Sequence, residues 1–399
     1  MQKVFASEER FAGSTDAETV RNALNALPEE GGTCVIPRWN PRTGKAEWRF
    51  EKPIILRSNV TLLADNAVLV QERGVFTHLM TAEEGAQNVA VIGEGNALLS
   101  GGETSRLKPT TANRYGLPDI ECNAMCAFRG VKGLTVRNLE IESPRWAAFL
   151  LDEVENASLT DLRFHSYPMV PEEYGILLRG GCRNVVIERL SGRTGASTVE
   201  LAAENGSEIS DVRIRTVQTD PARAALVTIR TGNGGKVHDV DIDGLMDASR
   251  FYEKARSGSV LAFGQLRKVP SISSCGSTAN NPLEFERKKE ILNDDVSRIS
   301  AKNLYSRAVN AVELLQPFSG TKVTNLMTFG DNIMAIGTRS TQPYELKDVV
   351  FDHVYYGAGS EPNNASSFIS RAAKGAKAVS TRNVTGYTVS HLYTQEEEG

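Results

Sequence analysis

A short phrase, a polar turn followed by an alternating apolar run, returns along most of this chain. It reads Ser58-Asn59-Val60-Thr61-Leu62, Gln87-Asn88-Val89-Ala90-Val91, Lys132-Gly133-Leu134-Thr135-Val136, Glu155-Asn156-Ala157-Ser158-Leu159 and Arg183-Asn184-Val185-Val186-Ile187. It continues from Ser207 to Val212, Lys236 to Ile242, Thr321 to Leu326 and Leu346 to Phe351. Recurrence at roughly 24 to 29 residues marks a solenoid, in which no repeat buries its own apolar face and each must stack on its neighbours. Alternating Val, Ile, Leu and Thr is the period-two pattern of a strand with one side chain in and the next out. Together these features predict an all-β chain, a right-handed parallel β-helix built of short strands.

A solenoid lengthens by adding coils, so 399 residues need not divide into globular units, and one domain over 1–399 is expected. An open first coil needs a cover. The segment 1–30 supplies it: Ser14, Thr15 or Asp16 can cap a helix running from Asp16 to about Leu27, with Val20, Ala23, Leu24 and Leu27 on one stripe. The least repetitive stretch, about 264–295, reads as a loop insertion on one face, and 390–399 as a flexible tail.

The formal charge of -4 leaves no basic footprint for nucleic acid. No apolar run approaches the roughly 18 residues that suggest a membrane span. The start, Met1-Gln2-Lys3-Val4-Phe5, lacks the apolar stretch of a secretory signal. A cytoplasmic location is expected, or a secreted one if an export signal has been removed ahead of Met1. Five cysteines (Cys34, Cys122, Cys126, Cys182, Cys275) are few and odd in number, which argues against a disulfide framework, and they read as small buried apolar residues. Cys122 and Cys126 have no second metal-ligating pair. Asp239, Asp241 and Asp243 alternate along one strand and read as a charged, solvated sheet face in preference to a calcium site. No metal and no cofactor is expected.

Asp16-Ala17-Glu18 with Ala23-Leu24, Gly31-Gly32-Thr33-Cys34-Val35-Ile36-Pro37, Ile55-Leu56-Arg57-Ser58-Asn59-Val60-Thr61-Leu62 and Ser143-Pro144-Arg145-Trp146 resemble glycoside hydrolase family 28, the polygalacturonase-like β-helix proteins with the pectin lyase fold. The resemblance covers most of the chain to about residue 250 and is looser beyond. It implies a carbohydrate-binding groove along one sheet and inverting hydrolysis, in which one carboxylic acid protonates the leaving oxygen and another carboxylate activates water.

The family's catalytic motifs are where this chain departs. Asn-Thr-Asp-Gly falls on Glu172-Glu173-Tyr174-Gly175, and Gly-Asp-Asp on Gly195-Ala196-Ser197. Arg-Ile-Lys falls on Thr228-Ile229-Arg230. No Gly-His-Gly is present, and Thr219-Asp220-Pro221-Ala222-Arg223 stands near its coil. Three readings follow: a glycoside hydrolase with relocated groups, a polysaccharide lyase on the same architecture, and a non-catalytic glycan-binding or structural β-helix protein. The candidate catalytic residues are Glu200, Glu173, Tyr174 and Asp220. The candidate substrate-binding residues are Arg230, Arg223, Trp146, Glu172, His165 and Glu204, with the two arginines suited to an acidic sugar. The expected partner is an oligosaccharide or polysaccharide, and the open ends and flat sheets allow a trimer or dimer.

Overall fold

The computed structural model describes residues 2–75, 77–102, 124–166, 174–221, 224–232, 234–249, 259–264, 296–314, 318–330, 332–336, 346–357, 368–369 and 379–386. Nearly all of the expected insertion and the whole of the expected tail lie outside them. Among the described residues the strands form two parallel sheets, one of 16 strands and one of 11. Each coil adds to both sheets, so a strand within a sheet pairs with the strand one turn before and one turn after. This is the right-handed parallel β-helix that the repeat predicts. Among the described residues no helix is long and apolar enough to cross a membrane.

The broad sheet holds the repeating phrase. Its strands are longer than the phrase suggests: Lys132–Glu142, Glu155–His165, Arg183–Thr194, Glu208–Pro221 and Lys236–Asp247 each run unbroken. The chain turns within these strands without leaving the hydrogen-bonded ladder, because two left-handed residues, five apart, recur in each. They are Gly133 and Asn138, Asn156 and Asp161, Asn184 and Arg189, Asp211 and Thr216, and Asp239 and Gly244, followed by Arg298 and Asn303 in the later strand Val296–Ser306, all with φ between 53° and 83°. Asn, Asp and Gly tolerate that conformation best, since most side chains crowd the following carbonyl there. Where Arg occupies such a place, its guanidinium sits on the left-handed Asp one coil earlier: Arg189 on Asp161 at 2.6 and 2.9 Å, Arg298 on Asp239 at 2.7 and 2.7 Å. Elsewhere the turns stack as amides, Asn184 Nδ2 donating to Asn156 Oδ1 at 2.7 Å and Asn88 Nδ2 to Asn59 Oδ1 at 2.9 Å.

Inside, equivalent positions stack coil upon coil. Val136, Leu159, Ile187, Ile214 and Ile242 are in register and all buried. Each such side chain contributes about 1.5–3 kcal/mol by leaving water. The narrow sheet closes the coil with Phe149, Ile176, Val199, Val227 and Leu261 in register and facing the same core. Cys34, Cys126 and Cys182 are buried and unpaired, and burial pushes the Cys34 and Cys182 thiols up to about 12.

The helix at the N-terminus spans Asp16–Asn25 and covers the first coil with Val20, Ala23 and Leu24. Thr15 is the cap, accepting from Glu18 N at 3.2 Å, and Glu18 reaches back to Ser14 N at 2.8 Å, a reciprocal arrangement that satisfies donors at the helix start. Asp16 is buried and ties the cap to the next loop, accepting from Arg42 Nε and Arg49 N, both at 2.7 Å. The strand Gln2–Phe5 lies outside Gly32–Pro37 as a further rung, so the edge of that strand is paired as well as covered.

Two predictions follow from the turn columns. Asn184→Gly should leave the denaturation midpoint nearly unchanged, whereas Asn184→Val should cost about 1–2 kcal/mol, because a β-branched residue is held at positive φ; urea titration of both variants checks this. Hydrogen bonds from Arg298 and then His238 hold the Asp239 carboxyl below its ordinary value of 3.8. A depressed carboxyl contributes stability at neutral pH that is lost as pH falls through that range. The stability gap between the native chain and Asp239→Asn should therefore narrow as the medium is acidified below the ordinary value, in denaturation midpoints measured across a pH series.

Candidate active site on the outer face of the narrow sheet

The narrow sheet is where the sequence-predicted groups converge. In the strand Val199–Glu204, Val199 and Leu201 fill the core, which turns Glu200 outward, as the alternation requires. Glu204 follows at the strand end. The next strand, Val227–Gly232, registers Thr228 against Glu200, Arg230 against Ala202 and Gly232 against Glu204. Arg230 thus lies midway between the two glutamates, over the small side chain of Ala202. Its Nε donates to Glu200 Oε1 at 2.8 Å, and its Nη1 donates to Glu204 Oε1.

The outward-facing sheet surface is not solvated here, contrary to the ordinary expectation for such a face. Glu200 is 6% exposed and Arg230 5%. Taking these charges out of water costs several kcal/mol per ion, which the pairing must offset. Two carboxylates share one guanidinium. The guanidinium that sequence suggests for an acidic sugar is already engaged by this chain's own carboxylates.

The positions matching the family's paired aspartates carry hydroxyl and methyl groups. Ser197 Oγ lies 2.8 Å from Thr228 Oγ1, and Thr198 Oγ1 lies 2.7 Å from Thr219 Oγ1 and 3.1 Å from Thr194 Oγ1. All five side chains are buried, so this corner is joined by hydroxyl bonds. Gly175 belongs to the same corner: an added Cβ would stand 2.4 Å from the Thr198 carbonyl oxygen, so a side chain there would push the two coils apart.

Toward the N-terminus the same face becomes apolar. Trp146, Ala147, Leu150, Leu177 and Ala202 form a cluster on the outside of the sheet, with Tyr174 packed against it. Trp146 is buried and meets Tyr174 edge-on, centroids 6.2 Å apart at 75°. It anchors this corner and is not an open stacking platform. Arg145, its neighbour, is buried too and donates to the carbonyls of Gly101 at 2.9 Å and Glu72 at 2.8 Å, clasping earlier coils.

Two predicted residues stand elsewhere. His165 and Asp220 lie at the ends of broad-sheet strands, in one column with Arg193 between them. His165 Nε2 is 3.2 Å from Glu140 Oε2, and Asp220 Oδ2 is 3.5 Å from Arg193 Nε. They make their contacts there, apart from the Glu200 cluster. Glu172, Glu173 and Arg223 lie outside the described residues. Of the aspartates weighed for calcium, Asp239 holds Arg298 and His238, while Asp243 holds Lys302 and Asn303. A cavity of about 290 Å³ opens beside the N-terminal helix, where Asp16, Arg42, Glu47 and Arg49 pair among themselves.

Sequence reasoning missed Glu313. It occupies the outward column of Glu200, in the register order Glu200, Thr228, Ala262, Glu313, and is 5% exposed. Asn310 Nδ2 donates to its Oε1 at 2.9 Å. The signal was present: Val312-Glu313-Leu314 repeats Val199-Glu200-Leu201.

No family model and no curated protein matches this sequence. Solved structures do. The family 28 exopolygalacturonase of Yersinia enterocolitica superposes with a TM-score of 0.52 at 13% identity, over 97% of this chain and 78% of its own. The catalytic unit of the GH87 α-1,3-glucanase from Streptomyces thermodiastaticus gives 0.60 at 13%, over 97% and 70%. The Streptococcus pneumoniae surface protein and adhesin PfbA gives 0.50 at 12%, over 98% and 99%. At such identities the likeness is one of fold, and a fold hosts many functions. The chain is a right-handed parallel β-helix protein, with the architecture found in polygalacturonases and other β-helix glycoside hydrolases.

The triad makes a quantitative prediction. Arg230→Met leaves Glu200 buried without its cation and should destabilise the chain by about 3–5 kcal/mol, with much of that recovered when Glu200→Gln is added. Denaturant titrations of the two single variants and the double variant measure the coupling.

Proposed function

We propose that this protein is a glycoside hydrolase acting on an oligosaccharide or polysaccharide laid along the outer face of the narrow sheet, with Glu200 as its proton-transferring carboxylate. The observation that carries the reading is the convergence of Glu200 and Glu204 on the buried guanidinium of Arg230. Such an arrangement is costly, and stacking the coils does not require it, since the inward positions alone complete the core. A β-helix architecture found in an exopolygalacturonase and an α-1,3-glucanase is consistent with it.

In inverting hydrolysis, a carboxylate takes a proton from water as that water attacks the anomeric carbon, and a carboxylic acid gives one to the departing oxygen. Arg230 fixes the Glu200 carboxylate by a charge-assisted hydrogen bond, the positioning that such catalysis needs. With Arg230 already engaged, the face offers acceptors for sugar hydroxyls. This favours an uncharged sugar over a uronate at this point of the groove.

Incubation with neutral and uronate-containing oligosaccharides, followed by mass spectrometry and ultraviolet absorbance, tests the proposal. Products heavier by one water, arising from neutral substrates, are expected. Unsaturated, ultraviolet-absorbing products would replace the reading with a lyase, and binding without turnover would replace it with a glycan-binding protein. Glu200→Gln should lower kcat by about tenfold or more if Glu200 acts in the transition state. An unchanged rate would remove Glu200 from the chemistry.

A further inference from the structure

We infer that the outer face of the last coils of the broad sheet is a self-association surface, on which a second copy of this chain packs end for end about the coil that carries Met327. The inference is independent of the role given to Glu200.

Two residues past the second left-handed corner of each coil, one outward position stays in register along the sheet. It holds Arg163, Ser191 and Gln218 in earlier coils, as a solvated face should, and then Met246, Tyr305, Met327 and Tyr355 in later ones. Met246, Met327 and Tyr355 are 44%, 39% and 43% exposed, and they are three of the six large hydrophobic side chains left exposed among the described residues. Beside them the Arg307 guanidinium lies over the Tyr305 ring at 5.3 Å, and Phe329 joins Tyr305 to Tyr355 with ring centroids 5.6 and 6.2 Å away. Stacking the coils requires no apolar group on the outside, so a contiguous exposed strip of this kind marks an interaction site. Met, Tyr, Phe and Arg are also the residues that protein–protein interfaces gather at their centres.

The order of the residues identifies the partner. About Met327 the apolar column reads the same in both directions, with Tyr305 one coil before and Tyr355 one coil after. A second column, one residue before the corner, runs Asp243, Lys302, Thr324, Asp352 and Arg382 in register. Its signs reverse about Thr324, which lies on the same coil as Met327. A copy turned by a two-fold axis across that coil therefore sets Met327 on Met327 and Tyr305 against the partner's Tyr355. It also brings Lys302 beside the partner's Asp352 and Asp243 beside the partner's Arg382, so each charge of the column meets its opposite. Moving the axis to either neighbouring coil would set Lys302 on Lys302 or Asp352 on Asp352. The surface is thus complementary to itself in one register, the property of a closed isologous dimer. The rim charges are exposed, so they fix register more than they add affinity. The apolar strip covers four strands, about 14 Å at the usual interval. A strip that short fits a reversible dimer in the micromolar range.

Sedimentation of the whole chain over a concentration series from about 1 µM to about 500 µM tests the inference. A reversible monomer–dimer equilibrium is expected. Met327→Glu puts two carboxylates together on the axis and should weaken dimerisation by about tenfold or more while leaving the thermal melt unchanged, since the side chain is exposed. Met327→Lys serves if that variant does not fold. Lys302→Glu should also weaken the dimer, and adding Asp352→Lys should restore it. Lys302 pairs with Asp243 of its own chain at 3.3 Å, a contact that Asp352→Lys does not repair, so the rescue reports pairing between copies. A wild type that stays monomeric throughout, or forms trimers, overturns the inference, as does a Met327→Glu chain that dimerises like the wild type. Dimerisation that Lys302→Glu leaves unchanged, or that Asp352→Lys fails to restore, overturns the two-fold register.

Discussion

Parallel register between successive coils is the constraint on which everything else in this protein depends. A strand here has no hairpin partner, and its hydrogen bonds all go to the turn of chain before and the turn after. Register can be kept over many coils only if every coil bends at the same two places. The left-handed residues meet that need: Asn156, Asn184, Asp211 and Asp239 in one column, Asp161, Arg189, Thr216 and Gly244 in the other. With the corners fixed, each Val, Leu and Ile falls above its equivalent, and the core forms as columns of like side chains. A slip of one residue would turn a whole column outward.

The same regularity builds the candidate site. Because the corners hold position, a residue on the outside of the narrow sheet is placed by its register alone. Arg230 meets Glu200 and Glu204 because it stands opposite Ala202, one strand on and halfway between them. The site is thus a property of two adjacent coils and needs no long-range folding of loops to assemble. It is also a local break with the rule that governs the rest of the helix. On the outer faces elsewhere, charges such as Arg189 and Asp161 pair at the surface, where water screens them. At Glu200 and Arg230 they pair out of water.

The fold was legible because it depends on period and on turn chemistry, and both are written in short windows. The recurring Asn or Gly before an alternating run stated the corner and the strand together. The cap was legible for the same reason, with the N-cap candidates Ser14, Thr15 and Asp16 and the stripe of Val20, Ala23 and Leu24 all lying in one short window. The site was less so. Parity gave the outward direction of Glu200, but its burial and its pairing with a residue 30 positions later depend on register between coils, which no single window contains. His165 and Asp220 were misplaced relative to this site by the same limit: their strand ends were visible, their distance from the narrow sheet was not. Trp146 was expected to bind substrate because its aromatic type was legible and its burial was not. Glu313 was overlooked although its tripeptide repeats that of Glu200, because it lies beyond the region where the family resemblance is strong.

The central claim is that the outer face of the narrow sheet around Glu200 is where a glycan sits. A crystal structure with a neutral oligosaccharide bound tests it most directly. The account predicts sugar rings along the face between Trp146 and Glu313, with hydroxyls within hydrogen-bonding distance of the Glu200 carboxylate and the Arg230–Glu200 pair intact. Sugar bound instead over the broad sheet, or beside His165 and Asp220 with the narrow sheet bare, would contradict it.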